Sequence, residues 1–141
     1  MTTSDKNTKV IRAVAAKLHE GWRADFQAKN PGQTRIKKNS DGTSGDINQP
    51  FETIHPDWQK ENIDAAVSAL KAIDLYPNDR RKAADVIHED WMVRNPKADW
   101  NSHLHVPFED LPENEQAKDL IIVDIAIAEK AHLVKHGCTI V

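Results

Sequence analysis

Two tetrapeptides carry the side chains best suited to chemistry: His19-Glu20-Gly21-Trp22 and His88-Glu89-Asp90-Trp91. An imidazole beside a carboxylate is the usual equipment of acid–base catalysis. Seven histidines also raise metal binding. His103-Leu104-His105 would aim two imidazoles the same way if extended. His132 and His136 stand four apart, a spacing that brings two ligands to one helix face. No HExxH is present, and the single cysteine, Cys138, gives no Cys-pair framework. Neither G-x-S-x-G, nor a P-loop, nor G-x-G-x-x-G occurs. With 5 glycines, few backbone sites could approach a phosphate closely. Phosphate contacts would fall to Arg, Lys and helix N-termini, with Trp to stack a base. The histidines of the two tetrapeptides lie beside apolar stripes, which favours hydrogen bonding to the partner repeat's loop over catalysis. No catalytic residue, metal or cofactor is assigned.

The elements that must hold these residues are helical. Ile11, Val14, Leu18, Trp22 and Phe26 recur at steps of three or four, giving a helix from Lys9 to about Lys29 that Asn30-Pro31-Gly32 ends. Residues 32–49 read as a long polar loop. Counted from Asn39 or Asp41, the sixth position holds no glycine, as a calcium loop requires. A second helix starts near Pro56, where a missing N–H does no harm, and ends before Pro77. Asn78 or Asp79 caps a third helix running to about Arg94. Residues 97–111 form a shorter loop, with extended pieces from His103 to Phe108. The last helix runs from near Pro112 to His136, with Gly137 as C-cap. Its run from Leu120 to Ala128 is apolar nearly all round, as for a helix in the core or against another chain. That favours a homodimer.

The 141 residues suit one domain, with residues 1–8 as a flexible tail. The net charge of -3 and the lack of a long basic run argue against nucleic acid as a partner. No stretch is apolar enough to span a membrane, and the polar first residues do not resemble a secretory signal. The lone cysteine suits a reducing compartment, so a cytoplasmic location is expected. Cys138-Thr139-Ile140-Val141 spells a C-a-a-X ending, but Thr139 is not aliphatic and no polybasic segment precedes it. Chance accounts for it.

The chain repeats itself. The two His-Glu-x-Trp segments are offset by 69 residues, and Ala15 with Ala84 and Leu18 with Ile87 fall in phase. Pro50-Phe51-Glu52 matches Pro107-Phe108-Glu109 at an offset of 57, as do Gln59 with Gln116 and Ile63 with Leu120. Each half therefore reads helix, stop, loop, Pro-Phe-Glu turn, helix: repeat one about 9–76 and repeat two about 77–136. Such repeats usually pack about a pseudo-twofold axis, because neither can bury its apolar face alone. The fold class that follows is mainly α, with four main helices and little or no β.

The succession of His88-Glu89-Asp90-Trp91, then Val106-Pro107-Phe108-Glu109-Asp110-Leu111-Pro112, then an acidic helix resembles the ryanodine-receptor repeat, the RyR domain. His105 matches a histidine that precedes the second motif in many members. The family's G-W-x-Y-G block is shortened here to residues 97–102, of which Trp100 alone corresponds. The first half keeps His19-Glu20-Gly21-Trp22 and Pro50-Phe51-Glu52 but has a longer, different loop. The resemblance implies paired helices with loops and a small hairpin, and a small protein of bacterial or phage kind. It implies no established enzymatic activity, and it suggests a nucleotide-derived ligand. The function expected is a non-enzymatic ligand- or partner-binding module. Its pocket would lie between the repeats, formed by His19, Trp22, Phe51, His88, Trp91, Trp100, His105 and Phe108. The alternatives are an interaction module dimerising through the last helix and, further off, a metal-dependent or acid–base hydrolase.

Overall fold

A computed structural model describes residues 3–135, with side chains from Thr8 onward. Helix α1 spans Thr3–Lys29, α2 Pro56–Leu75, α3 Arg80–Arg94 and α4 Glu113–Lys135. A two-stranded antiparallel hairpin, β1 (Ile36–Lys38) and β2 (Ser44–Asp46), is the only sheet among the described residues. Single 3-10 turns stand at Phe51–Thr53, Ser102–Leu104 and Phe108–Asp110. The fold is mainly α, as the periodicities predict.

The helix bounds follow from local chemistry. α1 starts at Thr3, six residues ahead of the expected start at Lys9, so helix covers most of the stretch read as a tail. It ends where Asn30 turns its side-chain amide back onto the Phe26 carbonyl (3.1 Å) and Gly32 takes a φ of 72°. α3 ends the same way: Asn95 donates its side-chain amide to the Trp91 carbonyl (3.0 Å). Its start is the expected cap, the Asp79 carboxylate accepting from the Lys82 N–H (3.1 Å). The Gly137 cap, His136 and the C-a-a-X ending lie outside the described residues.

The chain divides into two compact units. The first holds the described residues up to Ala66 together with those from Glu129; the second is Val67–Ala128. Both boundaries fall inside helices, α2 and α4. In the first unit the buried apolar residues include Val10, Val14, Ala15 and Leu18 of α1, with Phe51 and Ile54 below the hairpin's exit. In the second they are Ala69, Ala72 and Ile73 of α2, Ala83, Ala84 and Ile87 of α3, Val123 and Ala126 of α4, and Phe108 and Leu111 of the turn between α3 and α4.

Two loops differ from expectation. The 32–49 loop contains the hairpin, closed by Asn39 N–H to the Thr43 carbonyl (2.7 Å) and Gly42 N–H to the Asn39 carbonyl (3.1 Å). Gly42 has a φ of 88°, which glycine adopts at no steric cost. The strands are three residues each and mostly exposed, so no burial pattern betrayed them. The 97–111 loop is not extended at His103 to Phe108. It folds into 3-10 turns, because buried Asn101 accepts from the Ala98 N–H (2.8 Å) and donates to the Asn95 and Pro96 carbonyls (3.3 Å each).

Candidate functional site

Each buried histidine is seated within its own unit. His19 Nε2 donates to the Gln49 carbonyl at 2.8 Å, and His88 Nε2 donates to the Val106 carbonyl at 2.7 Å. Sequence reading placed these bonds on the partner repeat's loop. The structure corrects that: each acceptor directly precedes the repeat's own Pro-Phe-Glu turn, which α1 or α3 meets first. A carbonyl only accepts, so Nε2 carries the proton in both rings and Nδ1 is left with its lone pair when the ring is neutral.

The surroundings recur at the sequence offsets. His19 stacks on Trp22 (5.7 Å between centroids, 16° between planes), and His88 on Trp91 (6.0 Å, 11°). Arg12 lies over the Phe51 ring at 5.2 Å and Arg81 over Phe108 at 5.3 Å. Gln59 donates to the Phe51 carbonyl and Gln116 to the Phe108 carbonyl, each at 3.1 Å. Both Phe rings are buried. Four features of the tetrapeptides and turns are thus explained by packing: the His seats the turn, the Phe fills the core, the Gln ties the following helix to it, and the Trp shields the His.

One position breaks the pattern. In the first unit, Asn62 of α2 points its amide Nδ2 at His19 Nδ1, 3.5 Å away. The residue 57 positions on is Asp119 of α4, whose Oδ2 lies 3.9 Å from His88 Nδ1. Its side chain is 15 % exposed and that of His88 5 %, so a carboxyl has been placed against an imidazole away from water. Burial, and secondarily the Glu115 carboxylate, push the Asp119 acid up to about 7, against a smaller opposite pull from Lys118. No N–H or O–H of the described residues donates to the Asp119 carboxyl.

His88 and Asp119 border a cleft of about 290 Å³ within the second unit, lined also by Trp91, Leu104, Leu111, Glu115, Lys118 and Ile122. Its walls are apolar, with a few polar groups converging, the usual make-up of a small-ligand site. At its rim Lys118 pairs with Glu115 (2.9 Å). Trp91 is braced from two further sides. Trp100 meets it edge-on (6.4 Å, 83°) and His105 lies tilted against it (5.8 Å), held by its bond to the Asn95 carbonyl (2.7 Å). A second cleft of similar volume lies between α3 and the Phe108 turn, bordered by Arg81, Lys82, Asp85, Glu89 and Glu109.

Of the eight residues grouped in one pocket by the sequence, the second unit brings together His88, Trp91, Trp100 and His105. Phe108 is in the core beneath Arg81. In the first unit, His19 stacks on Trp22 and lies tilted against Phe51. Glu20 is exposed and pairs with Arg23 (2.8 Å), so it is turned away from His19. Asp119, Leu104, Leu111 and Ile122 were not singled out. Asp119 was nonetheless legible: the repeat alignment sets it opposite Asn62, a neutral residue exchanged for an acid at a position facing the conserved-in-register histidine.

Among the described residues no group of three His, Cys, Asp or Glu is placed to hold a metal ion. His103 and His105 do not project together, since a 3-10 turn replaces the extended segment. No helix among the described residues is long and apolar enough to cross a membrane. No family model, curated protein or solved structure matches the chain.

Proposed function

We propose that the chain is a non-enzymatic binding module of RyR-domain kind, built from two repeats, and that its ligand site is the second-unit cleft beside Trp91. The observation that carries this reading is the His88–Asp119 pair. A carboxyl withdrawn from water without a donor costs stability, and the first unit meets the same structural need with an amide. A costly group kept at the wall of a cleft is best accounted for by something that enters the cleft. The volume lies at the lower edge of the roughly 300–1,000 Å³ of drug-sized pockets, which suits a single ring system. The RyR resemblance supports a nucleotide-derived ligand: its ring would lie along the apolar wall, and Lys118 at the rim would meet its phosphate.

A thermal-shift screen of the full chain against nucleosides and nucleotides tests this. A ligand at 100 times its dissociation constant adds about 2.7 kcal/mol of stability. The reading predicts such a shift for at least one of them, and its absence from the cleft variant Trp91→Ala. No shift with any compound counts against it.

A second reading has its own support. Ile121, Ile127 and Val134 of α4 are about half exposed. In this reading α4 pairs with a second copy of the chain, and light scattering would return twice the 15.9 kDa chain mass. A monomer at high concentration would dismiss it.

A further inference from the structure

The two histidines make the same bond through Nε2, so what differs between the units is what meets Nδ1. In the first unit it is an N–H of Asn62, a donor facing a lone pair. In the second it is Asp119 Oδ2, an acceptor facing a lone pair across 3.9 Å. That separation is too long for a direct hydrogen bond and leaves the two atoms without a donor between them. Both residues line the cleft, and its remaining wall is largely aromatic and aliphatic. Two acceptors converging on one point from neighbouring helices match a nitrogen that carries two hydrogens. A water could sit there, as at many polar sites, but the apolar wall continues beyond it, where only a larger molecule would make contact.

We propose that the second-unit cleft recognises its ligand through an amino group, which donates one hydrogen to Asp119 and one to His88 Nδ1 while the attached ring lies against Trp91, Leu104, Leu111 and Ile122. The proposal rests on the reading of this cleft as the ligand site. Within nucleotide-derived ligands it selects bases with an exocyclic amino group over those with an oxo group at the same carbon. An oxo oxygen would bring a third acceptor to two existing ones. A carboxylate accepting from such an amino group is an established mode of base recognition. The charged groups around the pair are Glu115 and Lys118, both on α4, with His88 itself on α3. Above pH 7 the Asp119 carboxylate can only accept, so discrimination is sharpest there.

The test is calorimetric titration of the full chain at pH 8 with two matched pairs, cytidine against uridine and adenosine against inosine. Each pair differs in amino against oxo. The expected result is binding of at least one amino member, at least tenfold tighter than its oxo partner. In Asp119→Asn the new amide takes up the donor role that Asn62 has in the first unit, and the preference should vanish while the far-ultraviolet spectrum stays unchanged. Equal affinities within each pair, or a preference that survives Asp119→Asn, overturn amino recognition and leave the cleft standing as a ligand site. Failure of all four nucleosides to bind overturns amino recognition, and the cleft reading falls with it only if every nucleotide of the thermal-shift screen fails as well.

Discussion

His88 Nδ1 faces Asp119 Oδ2 at 3.9 Å, whereas His19 Nδ1 faces the Asn62 amide at 3.5 Å. The flanking contacts agree closely: the carbonyl bond through Nε2, the stacked Trp, the Arg over Phe, the Gln tied to the turn. Against that background the acid in place of the amide is a chemical difference in an otherwise shared local frame. It has consequences for stability as well as for binding.

The stability consequence is a pH dependence of known sign. The acid of Asp119 titrates near 7 in the folded chain, above its ordinary value of 3.8. Below pH 4 both folded and unfolded chains hold the proton, so the group costs nothing. Between pH 4 and 7 the unfolded chain releases it first, and stability declines as pH rises. Asp119→Asn removes this titration. The variant should match wild type near pH 4 and exceed it by about 1–3 kcal/mol at pH 8, read from paired denaturant melts. A variant less stable than wild type at pH 8 would show that the carboxylate is favourably held.

The histidines are predicted to be structural in equal measure. His19→Ala and His88→Ala each leave a carbonyl unpaired beside a gap under a Trp. Each should cost about 2–4 kcal/mol. Urea midpoints of the two variants check it. A neutral effect at either position would remove that histidine from the account of the fold.

Phe51 and Phe108 hold equivalent places in the two turns and are 2 % and 1 % exposed. Truncation of either to Ala should cost about 3–5 kcal/mol. By contrast Arg80→Ala, which breaks the Arg80–Asp124 pair (2.6 Å, both side chains about half exposed), should change stability by less than about 1 kcal/mol. The ratio of these effects separates core from surface contributions.

Helices were legible because three- and four-step spacing of apolar residues reports burial directly, and because Pro56, Asp79 and Asn95-Pro96 mark ends by their own backbone chemistry. The recurrence of the Pro-Phe-Glu turn and the His-Glu-x-Trp segment is visible in the sequence itself, and each copy makes the same local contacts. The 36–46 hairpin was hidden by its shortness and exposure. It is held instead by single side chains: Asn39 accepts from the Trp58 indole N–H (2.8 Å), and Ser40 N–H donates to Asp57 (2.7 Å). The seat of each histidine was read on the wrong repeat because one-dimensional spacing shows which residues are apolar neighbours, not which carbonyl a buried imidazole will reach.

The hairpin's anchorage gives a further expectation. Trp58→Phe keeps the ring but removes the N–H that satisfies buried Asn39. Amide exchange at Asn39 and Gly42, whose bonds close the hairpin, should speed up by about tenfold, the equivalent of about 1.4 kcal/mol, with little change in the second unit. Unchanged exchange there would mean the hairpin stands without Trp58.

The central claim is that the second-unit cleft is a ligand site, and the four tryptophans report on it separately. A nitrogen–proton correlation spectrum of uniformly labelled protein resolves one indole signal per Trp. Titration with the best-binding compound of the nucleotide screen should move the Trp91 indole, with smaller changes at Trp100, and leave Trp58 in place. Shifts centred on Trp58 or Trp22, with Trp91 unmoved, would contradict the account.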